Sequence, residues 1–193
     1  MRWLPMRIRF HRKGHGHAWR IFTHLTAQER LFLYWLASQQ PAGSILVEVG
    51  SYLGASACFL AAGALEVEGG ARLHCVDTWR NHAMSEGVRD TWREFQRNTQ
   101  IYSSQIVVHR GLSTEVAKCF PGEIQLLFLD GDHSYEGCRN DVVAWLPHLK
   151  KGGLLVMHDY AWAEGVQRVV REMVKPLESS RGRVMQNTYW ARM

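Results

Sequence analysis

The sequence predicts an α/β fold: a doubly wound, mostly parallel sheet of six or seven strands, with a helical arm at its N-terminus. Two observations carry that prediction. From Ser44 onward, apolar runs of strand length alternate with segments of helix length. Five of those runs end in a glycine, an acid or a histidine, at Gly50, Asp77, Gly111, Asp130 and His158-Asp159. Strands that are apolar throughout are buried on both faces, as in a parallel sheet covered by helices. In such sheets ligands bind beyond the carboxyl ends of the strands, where the strand order switches.

The elements follow in order. Thr26-Ala27-Gln28-Glu29 is a capping box that opens an amphipathic helix through Leu31, Phe32, Tyr34, Trp35 and Leu36, closed by Pro41 and Gly43. Ile45–Val49 is a strand, and a helix of small and apolar residues follows to about Val67. Leu73–Val76 is a short strand, succeeded by a polar helix around Glu86–Asn98. Ile106–Val108 and Ile124–Leu129 are strands, with a helix from about Tyr135 to Leu149 after the second. Gly152-Gly153 turns into the strand Leu154–Met157. A helix over Gly165–Val174 follows, and Val184–Met193 supplies one or two closing strands. Residues 1–22 form a basic arm and residues 23–193 a single domain. The closing strands are short, which suggests a second copy covering the sheet edge, a homo-oligomer.

Length and composition suit one globular domain, with 193 residues, 46% hydrophobic and 21% charged. No apolar run approaches the roughly 20 residues that span a bilayer. The basic N-terminus lacks the apolar core of a secretory signal, so a cytoplasmic location is expected. Cys58, Cys75, Cys119 and Cys138 fall in no C-x-x-C spacing and are expected reduced, most of them buried. The net charge of +5 is local. Six of the 23 bases (Arg2, Arg7, Arg9, Arg12, Lys13 and Arg20) precede residue 21 without an acid, leaving 17 bases against 18 acids. A solvated, loosely ordered extension is the expected form of such a tail. A nucleic acid or other anionic partner is the alternative, although no Asn-Pro-Pro-Tyr-like segment for a flipped base occurs.

The strand ends hold the chemistry. Gly50 and Gly54, four apart at a strand-to-helix turn, allow close backbone approach to a ligand beside free helix N–H groups. The dinucleotide pattern G-x-G-x-x-G is missing, which argues against a nicotinamide enzyme. Asp77 is placed either to accept from two ribose hydroxyls or to cap a helix. Ser113 borders an adenine or caps the short helix after it. Asp130, Asp132 and His133 crowd two carboxylates and an imidazole beside an apolar strand, more than turn chemistry needs. Asp130, His158 and Asp159 together offer oxygen and nitrogen ligands for a divalent cation such as Mg²⁺. For His158, a buried imidazole with a satisfied partner is the competing reading. Trp79, Trp92 and Trp162 form either a stacking wall for a ring or packing anchors.

These segments resemble the class I S-adenosylmethionine-dependent methyltransferases, with a Rossmann-like fold. They look most like the macrocin-type sugar O-methyltransferases and cephalosporin-hydroxylase-like proteins. The likeness is carried by residues 47–56, 75–79 and above all 128–160. It implies a cofactor set of Glu48, Gly50, Ser51, Tyr52, Gly54, Ser56, Asp77, Thr78, Ser113, Asp130 and Asp132. A further similarity, to catechol and caffeoyl-CoA type O-methyltransferases, places Asp130 at a metal-binding acid, His158-Asp159 at a metal-binding acid–amide pair, and His133 at a catalytic lysine. The resemblance thus implies His133, Asp130 and Asp159 as catalytic residues, with His133 as general base, and O-methylation of a small-molecule or glycan hydroxyl. The alternatives are a nucleic-acid methyltransferase using the basic arm, another enzyme on this scaffold, or a binding module.

Overall fold

Residues 3–81 and 88–193 are described in the computed structural model. The arm forms α1 (Trp3–Arg12) and a tight 3-10 segment over His15–Arg20, and the capping box opens α2 (Ala27–Ser38). Strand β1 (Ser44–Val49) leads into α3 (Ala55–Ala64) and β2 (Ala71–Asp77). A small hairpin of β3 (Arg80–Asn81) and β4 (Arg89–Asp90) precedes α4 (Trp92–Thr99). Next come β5 (Ile106–Arg110), α5 (Ser113–Lys118), β6 (Ile124–Leu129), α6 (Tyr135–Trp145) and β7 (Leu149–Met157). The chain closes with α7 (Glu164–Val169), a π-helical turn over Val170–Val174, and the hairpin β8 (Arg183–Met185) and β9 (Thr188–Arg192).

The main sheet has seven strands in the order β5-β2-β1-β6-β7-β9-β8. The first five are parallel, while β9 runs antiparallel to both β7 and β8. The order therefore switches between β1 and β6, and the site belongs at their carboxyl ends.

Alternation along the strands builds two cores. Leu46, Leu73, Leu126, Phe128 and Val156 face α2 and α3, whereas Val47, Val49, Leu127, Leu129 and Leu155 face the side of α6 and α7. Apolar side chains on both faces explain the unbroken apolar runs. Each buried Leu or Phe contributes about 1.5–3 kcal/mol, and the sum is what holds the strand ends in register.

Residues 3–20 do not form the loose extension expected from their charge. Phe10 is fully buried, stacked on Phe59 at 4.4 Å and 6°. Arg30 lies over the Trp19 ring at 4.5 Å, Tyr102 hydroxyl meets His15 Nδ1 at 3.0 Å, and Arg9 pairs with Glu66. The bases stay on the surface while the interleaved aromatics anchor the arm to α3, so charge alone misjudged it.

Several boundaries moved. The helix after β1 ends at Ala64 rather than near Val67, and α6 stops at Trp145, where Leu146–His148 tightens into a 3-10 turn around Pro147. The polar helix expected from Glu86 begins, in the described residues, at Trp92, and 86–87 lie outside them. β7 starts earlier than expected, at Leu149, with a register irregularity opposite Ile124/Leu126. Cys58, Cys75 and Cys138 are free and buried, and Cys119 is free and exposed.

Candidate active site

Gly50 ends β1 and Asp130 follows β6, so the two face each other at the switch point. Gly50 has φ 87°, and a Cβ there would overlap the carbonyl oxygen of Asp130. Only glycine meets both conditions. Gly54, at φ 85°, caps α3 without a side chain, and a Cβ on it would run into Thr99 and Phe95. The first N–H groups of α3 thus remain available to an anion.

Asp77 organises this loop. Its Oδ2 accepts from the backbone N–H of Ser51 at 2.9 Å and Tyr52 at 2.8 Å, and its Oδ1 accepts from Trp79 N–H at 2.7 Å. It caps no helix. It also lines a cavity of about 420 Å³ together with Thr78, Ser113 and Asp132. Ser113 is the first helical residue of α5 rather than its cap, and its Oγ accepts from Trp145 Nε1 at 2.7 Å. Asp132 Oδ1 accepts from Ser134 N–H at 2.8 Å, and its carboxylate lies against Gly137, where a Cβ would overlap it.

A second cavity of about 540 Å³ lies on the other side of Gly50, Tyr52, Asp130 and Gly131. Its walls include Ser51, Ser56, His133, His158, Asp159 and Asn187, with Phe22–Leu25, where the arm joins the domain. His133 packs edge-on against Trp162, ring centroids 4.9 Å apart. Trp162 is a wall residue, but Trp79 is fully buried against Trp92 and Phe95, a packing anchor.

Glu48 lines neither cavity, which corrects the expectation that it would face the cofactor. It is fully buried behind the loop, accepting from Ser51 Oγ at 2.5 Å, and burial pushes its pKa up to about 7. Its role is to hold Ser51.

His158 is the centre of a buried polar cluster. Its Nδ1 lies 3.0 Å from Asp130 Oδ1 and 3.1 Å from Asp159 Oδ1, and its Nε2 lies 3.6 Å from Glu29 Oε1. Burial opposes the imidazolium, but these three carboxylates outweigh it and push the pKa up to about 12. Burial likewise lifts Asp130 above the usual carboxylate range, although His158 pulls it down. Burial also works against the Asp159 carboxylate, but hydrogen bonds from His158, Trp162 and Asn187 bring it below that range. Asp159 has φ 61°, a left-handed conformation that aims its carboxylate back at His158. Asp130, His158 and Asp159 each offer a ligand atom within 4.8 Å of the others, a donor set that fits a divalent cation. In the described geometry the same atoms bond to one another, the satisfied-histidine arrangement.

Two members of this cluster were not legible as site residues. Glu29 had a complete explanation as a capping residue, and it does cap α2, with both hydrogen bonds of the box present. Its Oε1 also accepts from Asn187 N–H at 2.8 Å and Thr188 Oγ1 at 2.9 Å. Asn187 sits in the β8–β9 turn, and its Nδ2 donates to Asp159 Oδ1 at 3.0 Å. No local motif marks it.

The arrangement fits an adenosyl sulfonium cofactor. Two cavities meet at the glycine that no side chain can replace, carboxylates stand ready for hydroxyl and ammonium groups, and a helix N-terminus faces inward. No described helix is long and apolar enough to cross a membrane.

Comparisons with known proteins agree with this geometry. In sequence, the chain is 33% identical over 64 residues to an uncharacterized protein of Acanthamoeba polyphaga mimivirus, a match covering 32% of this chain and 29% of that relative's length. In structure, it is similar to CalS11, a TDP-rhamnose 3'-O-methyltransferase of calicheamicin biosynthesis, with TM-score 0.64 at 16% identity over 86% of this chain and 77% of that one. It is also similar to the O-methyltransferase NovP, with TM-score 0.68 at 16% identity and the same coverage. An O-methyltransferase from Bacillus cereus in complex with SAH gives TM-score 0.67 at 15% identity, covering 97% and 90% of the two chains. At these identities the structures establish the fold, a class I methyltransferase sheet. Residues 47–160, more than half of the chain, match the family described as Methyltransferase domain, and the chain belongs to that family.

Proposed function

We propose that this protein transfers the methyl group of S-adenosylmethionine to a hydroxyl of a small-molecule or glycan acceptor. The observation that carries this reading is the pair of cavities meeting at Gly50 and Asp130, one lined by Asp77 and Ser113 and the other by His133 and Asp159. The sugar O-methyltransferase CalS11 and the SAH-bound O-methyltransferase from Bacillus cereus, both similar in fold, support the same reading.

When bound, S-adenosylmethionine supplies an already activated methyl group, so the protein's work is positioning and deprotonation. Asp77 fixes the Ser51-Tyr52 loop, and its remaining acceptor capacity would hold the ribose hydroxyls, with Thr78 and Ser113 holding the base. Ser51, Ser56 and the α3 N-terminus would hold the methionine end. His133 takes the acceptor proton, and a general base of this kind contributes about 10²–10⁴-fold. Asp130 and Asp159, held by His158, orient the hydroxyl. Should a divalent cation bind, Asp130, His158 and Asp159 would hold it. A cytoplasmic setting is part of this reading, and the four free cysteines support it.

Calorimetric titration with S-adenosylmethionine, with and without magnesium, tests the reading. Micromolar binding that collapses in Asp77→Ala supports it, and a gain with magnesium adds the cation. Absence of binding in every condition overturns it in favour of another enzyme or a binding module on this scaffold. His133→Asn should retain cofactor binding and lose turnover by about two to four orders of magnitude.

A further inference from the structure

We propose that the outward face of α1 docks on an anionic phospholipid surface. Helical spacing sets this face. Trp3, Met6 and Phe10 share the inward side, where Phe10 is fully buried and the other two pack against the same core. Leu4 and Ile8, four apart, therefore point away from the domain, with Pro5 beside them. Leu4 is 69% exposed and Ile8 50% exposed.

The bases surround that apolar stripe. Arg7 and Arg9 flank it on either side, and Arg12 continues it one turn further along. Residues 1–28 contain no acid. Among the described residues no carboxylate pairs with Arg7, Arg12 or Arg20, while Arg9 and Lys13 share Glu66. Such an excess repels a second copy of this chain and attracts a surface of opposite sign. A surface groove of about 430 Å³ lies here, lined by Pro5, Ile8, Arg9, Arg12 and Lys13. Two apolar side chains and three cations match a lipid phosphate with the acyl carbons beneath it.

Cations alone would suit any polyanion, and the side chains among them select the bilayer over a nucleic acid. Leu4, Pro5 and Ile8 offer nothing to a sugar–phosphate backbone. The arm's rings that could stack on a base are already engaged. Phe10 lies on Phe59, and Trp19 is edge-on to Phe59 with both Arg7 and Arg30 over its ring. A helix lying in a membrane interface uses apolar side chains at the acyl boundary and bases at the headgroups.

The test is co-sedimentation of the full chain with vesicles of phosphatidylcholine alone and of phosphatidylcholine mixed equally with phosphatidylglycerol. A random-sequence DNA duplex is titrated in parallel. The protein should sediment with the anionic vesicles only, and less as salt rises. Arg12→Ala should weaken this binding about fivefold. Leu4→Ser combined with Ile8→Ser, both at exposed positions, should weaken it about tenfold while the thermal melt stays that of wild type. Equal binding to both vesicles, binding to neither, or a double variant that binds as wild type does overturns the proposal. Tighter binding of the DNA duplex than of anionic vesicles also overturns it and gives the face to a nucleic acid. No cofactor enters the assay, so its result is independent of the methyl-transfer reading.

Discussion

Glu29 Oε1 lies 3.6 Å from His158 Nε2, so the residue that caps α2 also forms the back wall of the site. It holds Asn187 and Thr188 at the same time and joins α2, β7 and β9 around one buried carboxylate. Burial raises its pKa, but the bonds from His158, Thr26 and Thr188 outweigh this and hold it at about 2. Glu29→Ala leaves a buried imidazole, an amide and a hydroxyl unpaired, and should cost about 3–5 kcal/mol of stability. Glu29→Gln keeps the cap and should lose less. Chemical denaturation of the two variants checks the difference, and equal losses would show that the cap alone matters.

Gly50→Ala places a methyl group against the Asp130 carbonyl in a left-handed backbone. The conformation alone costs about 1–2 kcal/mol, and the overlap forces β1 and β6 apart. Loss of S-adenosylmethionine affinity in a protein that still folds is the expected outcome, measured by calorimetry beside a thermal melt. Unchanged affinity would mean that the closest approach lies elsewhere.

Glu48 sets a pH dependence with a definite sign. Its folded pKa of about 7 lies above the ordinary 4.5, so between those values the folded protein holds a proton that the unfolded chain has released. The stability this group contributes is fully present below pH 4.5 and is lost as pH rises through 7, on the order of 3 kcal/mol in all. Glu48→Gln should flatten that part of the stability profile and be the more stable protein at pH 8. Unfolding curves from pH 5 to pH 8 for both proteins decide it, and parallel profiles would refute the buried-acid account.

The arm is held by Phe10. Phe10→Ala removes a fully buried ring stacked on Phe59 and should cost about 3–5 kcal/mol. Arg12→Ala on the exposed face of the same helix should change stability by less than about 0.5 kcal/mol. Protease sensitivity of residues 3–20 should rise in the first variant only.

Periodicity and turn chemistry were enough to place the five parallel strands, because apolar runs bounded by glycines are local signals. They were enough to mark the strand ends too, since Gly50, Asp77, Asp130 and His158-Asp159 recur at the ends of strands that are otherwise apolar. The order of the strands, and so the meeting of Gly50 with Asp130, belongs to the tertiary structure. So does the fate of Glu48, which looked like a cofactor ligand but points away from both cavities. The arm's charge predicted solvation, yet its aromatics found Phe59 and Trp19 found Arg30, contacts made across long stretches of chain. Glu29 and Asn187 are separated by 158 residues, and no local pattern encodes their hydrogen bond. Sequence alone determined which glycines and polar residues stand at the ends of strands, because that depends on neighbours a few positions away. Only the fold decided which of them share a cavity and which remote groups hold them, because pairing and burial are settled by packing between distant segments.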